Sequence, residues 1–323
     1  MAKAKTVIER DYLAFAKACA VWASNPVSER GAAHIFQMVY AAGGPNVRDV
    51  CDAMARHPVG AKLLRERPDL GAALMDNVRL SHMPSNSIGY AYYEFMKRSD
   101  VLPGYLLGGL AYRYGAFDRL NWPSDMKWLV ERVGNTHDLT HVISGYGADL
   151  AGEVLNTNFS LGAVNMPLFH AFSRAFGIGS ALVLRPKCGW EHWVMRMNEA
   201  YERGRAIALN IPFYCIPYEE YLPLTVEEAR KRLGVPPLAD GSYTLDSGNW
   251  LSNRLSTFIA TGFGALDIAM VQAQHARKLV EAGLTPRELM SANEDTRHRV
   301  ERLRAQGASV ELLIAEFRRG TDK

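Results

Sequence analysis

Residues 136–153 read Thr136-His137-Asp138-Leu139-Thr140-His141-Val142-Ile143-Ser144-Gly145-Tyr146-Gly147-Ala148-Asp149-Leu150-Ala151-Gly152-Glu153. Two histidines four apart on a helix stand one turn above each other, with Cβ atoms roughly 6 Å apart. That spacing lets two imidazole nitrogens reach one ion at about 2.1 Å each. Asp138, three residues before His141, is either a third ligand or an acceptor that fixes a histidine tautomer. Glu153 lies twelve residues beyond His141; on one unbroken helix it would sit about 160° around from His137, on the wrong face. Gly145 and Gly147 break the helix, and Asp149 can cap a second one, so a tight hairpin can return Glu153 to the histidines. The competing reading is a solvated polar helix face on which Asp138 pairs with His141. The pattern differs from the zinc-protease His-Glu-x-x-His, because aspartate replaces the glutamate that serves there as general base.

Working outward, helical signals dominate. Asp11 to Ala23 is an apolar-rich helix ending at Ser24-Asn25-Pro26, and Ser28 can cap a second helix that stops at Ala41-Ala42-Gly43-Gly44. Asn46 to Arg56 is a third. His57-Pro58 and Arg67-Pro68 punctuate short segments out to Leu80, and the aromatic stretch from Ser87 to Arg98 repeats at three- and four-residue steps, as a helix does. Trp122-Pro123-Ser124-Asp125 opens the helix that leads to His137. Thr225-Val226-Glu227-Glu228 has capping-box spacing with Gly234 at the stop, and Thr285-Pro286-Arg287-Glu288 repeats the device. Only Ala206 to Ile211 and Ser180 to Leu184 are candidate strands. The expected fold is all-α: one multi-helix domain with a metal-binding helix–turn–helix. The expected division is a core over 1–240 and, over 241–323, a loop and charged helical C-terminal extension.

Composition narrows the function classes. The chain has 323 residues, 48% hydrophobic and 22% charged, enough for a substantial core and unlike a disordered chain. A net charge of +3 gives no basic footprint for nucleic acid. Cys19, Cys51, Cys188 and Cys215 have no disulfide or zinc-motif spacing, so a reducing, cytoplasmic setting is expected. No run reaches the roughly 20 apolar residues that cross a bilayer, so membrane contact is expected to be peripheral, on the inner face.

The motifs around the histidines resemble the family of coenzyme Q biosynthesis protein four. The family's His-Asp-x-x-His followed after eleven residues by glutamate is matched by His137, Asp138, His141 and Glu153. Met54 to Gly60 with Leu64 and Arg67-Pro68, and Met83 to Gly89 with Tyr92, Phe95 and Met96, are similar to two upstream blocks. Arg132 falls on the first of two family arginines, while Gly134 stands at the second. Tyr218-Glu219-Glu220 and Arg230 to Val235 are similar to the closing segment. Val154 to Phe159 departs from the family's lysine- and tryptophan-containing helix, Gly104 to Asn121 looks inserted, and the last 80 or so residues have no counterpart.

The resemblance implies a role in making ubiquinone: metal-dependent oxidative decarboxylation of a polyprenylated hydroxybenzoate. It implies His137, Asp138, His141 and Glu153 as ligands of a divalent metal, zinc foremost, although the donor set suits iron or manganese equally. Arg132 is the candidate contact for the substrate carboxylate. Candidate linings of an apolar groove are Met166 to Phe169, Phe172 to Gly177 and Tyr90 to Met96, which can equally be ordinary core. His170 and His192 read as structural histidines. Expected partners are the polyprenylated aromatic precursor, other quinone-biosynthesis proteins and a second copy of the chain. The rival readings are an isoprenoid-binding scaffold without catalysis and a divergent branch acting on another prenylated or aromatic metabolite.

Overall fold

The computed structural model describes residues 9–24, 29–99, 122–147, 150–164, 189–238 and 294–321, with isolated positions between 167 and 178 and between 278 and 292. The described helices are α1 (Tyr12–Ser24), α2 (Glu29–Arg56), α3 (Pro58–Glu66), α4 (Leu70–Met75), α5 (Asn77–Ser81), α6 (Ile88–Ser99) and α7 (Ser124–Asn135). They continue with α8 (His137–Ser144), α9 (Leu150–Ala163), α10 (Gly189–Asn210), α11 (Tyr218–Tyr221), α12 (Val226–Leu233), α13 (Glu294–Ala305) and α14 (Val310–Thr321). The protein is all-α. Among the described residues the strand-like pairing is one bridge between Ser87 and Thr225. Ala206 to Ile211, read as a possible strand, are the end of α10 up to Asn210 and the residue after it, while Ser180 to Leu184 lie outside the described residues.

Several boundaries follow the local chemistry. Asp11 accepts from the N–H of Ala14 at 2.8 Å and starts α1. His57 accepts from the N–H of Gly60 at 3.4 Å with Pro58 at the first helical position, and Arg67, before Pro68, closes α3 in the left-handed region. The Thr225–Glu228 capping box forms in both directions and Gly234 ends α12 at φ 71°. Ser28, Asp149 and Thr285, expected caps, lie outside the described residues.

One expected boundary is overturned. Gly43, Gly44 and Pro45 do not separate two helices; α2 runs through them. A proline inside a helix removes the bond to the carbonyl four residues back. Here that carbonyl, Ala41 O, accepts from the N–H of Asp11 at 2.9 Å, and Ala42 O accepts from Arg10 Nε at 3.1 Å. The segment entering α1 supplies the missing donors, a tertiary substitution that local propensity does not contain.

The main core draws on α4, α5, α6, α8, α9, α10, α11 and α12, with Tyr92, Leu139, Ile143, Phe159, Trp193 and Tyr218 buried in it. A second cluster, including Val47, Met54, Trp122, Met126 and Leu129, joins α2, α3 and α7. A third, including Leu279, Val300, Ile314 and Phe317, belongs to the C-terminal segment; the expected boundary at 240/241 lies outside the described residues.

The site depends on how closely α9 packs on α10. A Cβ at Gly204 would collide with the carbonyl of Phe159, and one at Gly162 with the carbonyl of Tyr201, so the two backbones touch where neither has a side chain. Gly-to-Ala in a helix interior ordinarily stabilises by about 1 kcal/mol. Here overpacking reverses the sign: Gly204→Ala is expected to lower unfolding stability by about 1–3 kcal/mol in urea titrations. A gain in stability would show that α9 and α10 are not in backbone contact.

Candidate metal centre

α7 and α8 are nearly continuous. Thr136 separates them, its N–H donating to Arg132 O at 3.1 Å and its hydroxyl to Val133 O at 2.7 Å. His137 and His141 therefore project from one face of α8, their ring centroids 5.1 Å apart and nearly perpendicular. Gly145, at φ 85°, ends α8 with its N–H on His141 O, as the Ser-Gly-Tyr-Gly sequence predicts. A Cβ at Gly152 would strike the Gly147 carbonyl, so the chain reverses tightly enough to bring the first turn of α9 against α8.

Glu153, in that first turn, meets both histidines. Its Oε2 lies 3.1 Å from His137 Nε2 and 3.5 Å from His141 Nε2. The ligand atoms of these three residues all fall within 4.8 Å of one another, the one such group among the described residues. Donors held about 2.1 Å from a common ion stand roughly 3.0–3.4 Å apart at octahedral or tetrahedral angles; the two distances to Glu153 lie close to that range, and the group as a whole is wider, within 4.8 Å.

The state of His141 points the same way. Its side chain is 0% exposed, its Nδ1 faces Tyr146 O at 3.1 Å, and its Nε2 has no hydrogen-bond partner. The carbonyl can only accept, so Nδ1 carries a proton, and Nε2 is the ring atom that faces Glu153. A buried ring nitrogen without a hydrogen-bond partner is costly unless something fills the place beside it. The donor set thus fits a cation. Phe95 of α6 stacks on the His141 ring at 5.1 Å between centroids and fixes its plane.

Charge completes the picture. Burial alone would lower the pKa of His137, but the hydrogen bond and charge of Glu153, with the charge of Asp138, outweigh it and raise the imidazole to about 9. Burial works to raise Glu153, while its contacts with His137 and His141 overcome that and hold the carboxyl far below its ordinary range. Asp138 is 4% exposed and close enough for its charge to act on His137, but it stands outside the converging group. Of the four residues expected as ligands, the fold brings three together.

Arg132 is placed otherwise than expected. It is buried, its guanidinium forks onto Glu219 (2.7 and 2.8 Å), and it donates to Ile216 O at 3.2 Å. A forked ion pair to an internal carboxylate commits that group to holding α7 against α11, so it is not free for a substrate carboxylate. His170 stacks on Tyr201 at 4.2 Å with its Nε2 buried and unpartnered, so it is not the satisfied structural histidine expected. From the groove candidates, Tyr92 and Met96 are core, with Tyr93 and Phe95 packed against it; Met166, Leu168, Phe169 and Phe172 lie outside the described residues.

Sequence reasoning missed the residues that close the hairpin. Asn156 Nδ2 donates to Thr140 Oγ1 at 3.0 Å and to His137 O at 3.3 Å, and Ser144 Oγ donates to Asn156 Oδ1 at 3.1 Å. One buried amide therefore ties both ends of α8 to α9. Its signal was present: a polar residue in an apolar run, three residues from Glu153 and so on the same face. Arg230, from α12, caps Ile143 O at 2.7 Å and Val142 O at 3.1 Å; nothing local marks it for that task.

Metal must displace the proton that Glu153 holds on His137, so zinc binding is expected to release a proton and tighten as pH rises from 7 toward about 9. Glu153→Gln removes the group that raises that pKa, so binding becomes weaker and its pH dependence flattens in this range. Calorimetry in buffers of different ionisation enthalpy measures both. Zinc affinity that is flat from pH 7 to 9 in the unaltered protein would contradict the assignment.

The family of coenzyme Q (ubiquinone) biosynthesis protein Coq4 matches residues 5–239. A mitochondrial ubiquinone biosynthesis protein of Paracoccidioides brasiliensis is 25% identical over 190 residues, 58% of this chain and 60% of that protein. The Aedes aegypti homologue, also named mitochondrial, is 24% identical over 198 residues, 61% of this chain and 66% of that one. The chain spans about 60% of the length of the curated relatives it matches. A crystal structure from Nostoc punctiforme, named for ubiquinone biosynthesis, overlaps 71% of this chain and 98% of its own with TM-score 0.49 at 18% identity. The likeness of sequence extends far beyond the histidine motif and across most of the helical core: the chain belongs to the Coq4 family of ubiquinone biosynthesis proteins.

Proposed function

We propose that this chain is a metal-dependent enzyme of ubiquinone biosynthesis that removes the ring carboxylate of a polyprenylated hydroxybenzoate. The carrying observation is the number of converging ligands. Structural metal sites are closed by four protein donors, whereas catalytic sites use three and keep a position for substrate. His137, His141 and Glu153 are three that converge, which supports the enzyme over the scaffold.

The residues divide the work as follows. His137, His141 and Glu153 would hold the ion; two nitrogens and one oxygen suit zinc, iron or manganese. The Tyr146 carbonyl accepts from Nδ1 of His141 and so turns Nε2 toward the place of the ion, and Phe95 shields that ring on one face. Asp138 and Glu153 supply two negative charges, which would leave a divalent site near neutrality before an anionic substrate arrives. When bound, the ion supplies Lewis-acid stabilisation of the charge that develops as carbon dioxide leaves. If a hydroxyl then replaces the carboxylate, two electrons pass to an external oxidant.

No described helix is long and apolar enough to cross a membrane. A very apolar substrate then argues for peripheral contact with a membrane, on its cytoplasmic side in this reading. Contacts with other quinone-biosynthesis proteins and self-association belong to the same proposal.

The test is turnover. Purified metal-loaded protein, given a prenylated hydroxybenzoate labelled at its carboxyl and an oxidant, is expected to release labelled carbon dioxide. His141→Ala should reduce release at least about 100-fold, the scale on which losing a key electrostatic group acts. Binding of the precursor with no release in any metal form would support the scaffold instead.

A further inference from the structure

The turn after α8 holds a second buried arginine that the proposed chemistry does not use. Arg203, on α10, is 4% exposed. Its Nη2 donates to Ser144 O at 3.0 Å and its Nε to Pro236 O at 2.9 Å. The guanidinium lies over two aromatic rings, 5.2 Å from the centroid of Tyr146 and 5.7 Å from that of Phe159. Its Nη1 is buried without a hydrogen-bond partner. Ser144 closes α8, Tyr146 sits in the turn and Phe159 is on α9. One planar cation therefore touches all three parts of the hairpin that presents the metal ligands.

Tyr146 is the link to the site, because its carbonyl accepts from His141 Nδ1. Move that carbonyl and the imidazole loses the partner that keeps its proton on Nδ1; the other tautomer would place a proton where Nε2 must offer a lone pair. We propose that Arg203 is a positioning residue for the metal centre. By clamping the Ser144–Tyr146 turn, it holds the Tyr146 carbonyl on His141 and so keeps Nε2 available as a ligand. This rests on the reading of His137, His141 and Glu153 as metal ligands. A lysine would not serve equally, since it cannot donate along two fixed directions while packing against both rings.

Arg132 provides the control. It is equally buried, but its hydrogen bonds run to Glu219 and Ile216, away from the turn, so its loss costs stability without moving His141. Arg203→Met, Arg203→Lys and Arg132→Met would be compared in the full chain. Zinc affinity is read by chelator competition. The tautomer of His141 in zinc-free protein is read by long-range proton–nitrogen NMR, with its signals identified by their loss in His141→Gln.

Arg203→Met is expected to weaken zinc binding about 10- to 100-fold, the usual cost of losing a group that orients a ligand. His141 should then lose its single Nδ1-protonated form. Arg203→Lys should fall between, and it carries the comparison if Arg203→Met does not fold. Arg132→Met should unfold more easily yet bind zinc within about twofold of the unaltered protein, because its side-chain hydrogen bonds go to Glu219 and Ile216 and not to the turn. Unchanged zinc affinity and tautomer in the Arg203 variants would overturn the proposal, as would an equal loss in Arg132→Met. Failure of the unaltered protein to bind zinc would instead overturn the ligand reading itself, and the tautomer measurement keeps the two failures apart.

Discussion

A carboxylate from the first turn of one helix, brought against two imidazoles on the helix before it, is the contact from which the rest of this structure takes its meaning. Nothing in a straight helix would put Glu153 there. The reversal needs the left-handed Gly145, the tight approach of Gly152 to Gly147, and the Asn156 amide that bonds to both ends of α8. It also needs α8 to end firmly. Three successive carbonyls at its C-terminus, those of Val142, Ile143 and Ser144, are taken by Arg230 and Arg203 from two later helices. Cations at that end also complement the helix dipole, as the Glu153 carboxylate does at the start of α9. The hairpin is thus held by donors placed far away in sequence, and α9 is fixed in turn by its backbone contact with α10.

That division explains what the sequence made legible. Features governed by neighbours three or four residues apart could be read directly: the histidine pair, the glycine break, the capping box at Thr225 and the all-helical class. Glu153 could be proposed as a partner because the two glycines made a hairpin geometrically reasonable. Features governed by distant partners could not be read. The continuity of α2 through Gly43, Gly44 and Pro45 depends on donors from Arg10 and Asp11. Arg132 looked available to a substrate because Glu219 is 87 residues away, and only the fold shows the two forked together. The Tyr146 contact to His141 is made by a backbone carbonyl, which no residue type announces.

The separation of Asp138 from the ligand group has a local cause. On a helix, residues 137 and 138 project about 100° apart, so a side chain next to His137 in sequence is not next to it in space. His141 recovers the face by being four residues on. Asp138 acts on His137 through charge instead. Three converging donors, one imidazole oriented by a carbonyl and an aromatic ring over it suit the proposed ion with room for another molecule. The prenylated hydroxybenzoate proposed here carries a carboxylate and a phenol, both suited to such a position.

The central claim is that His137, His141 and Glu153 grip one cation. Crystals soaked in zinc and measured at its absorption edge test it without reference to activity. The account predicts one strong anomalous peak about 2.0–2.2 Å from Nε2 of both histidines and from a Glu153 oxygen, with Asp138 not bound to it. A peak that leaves Glu153 turned to solvent, or no peak between the histidines, would contradict it.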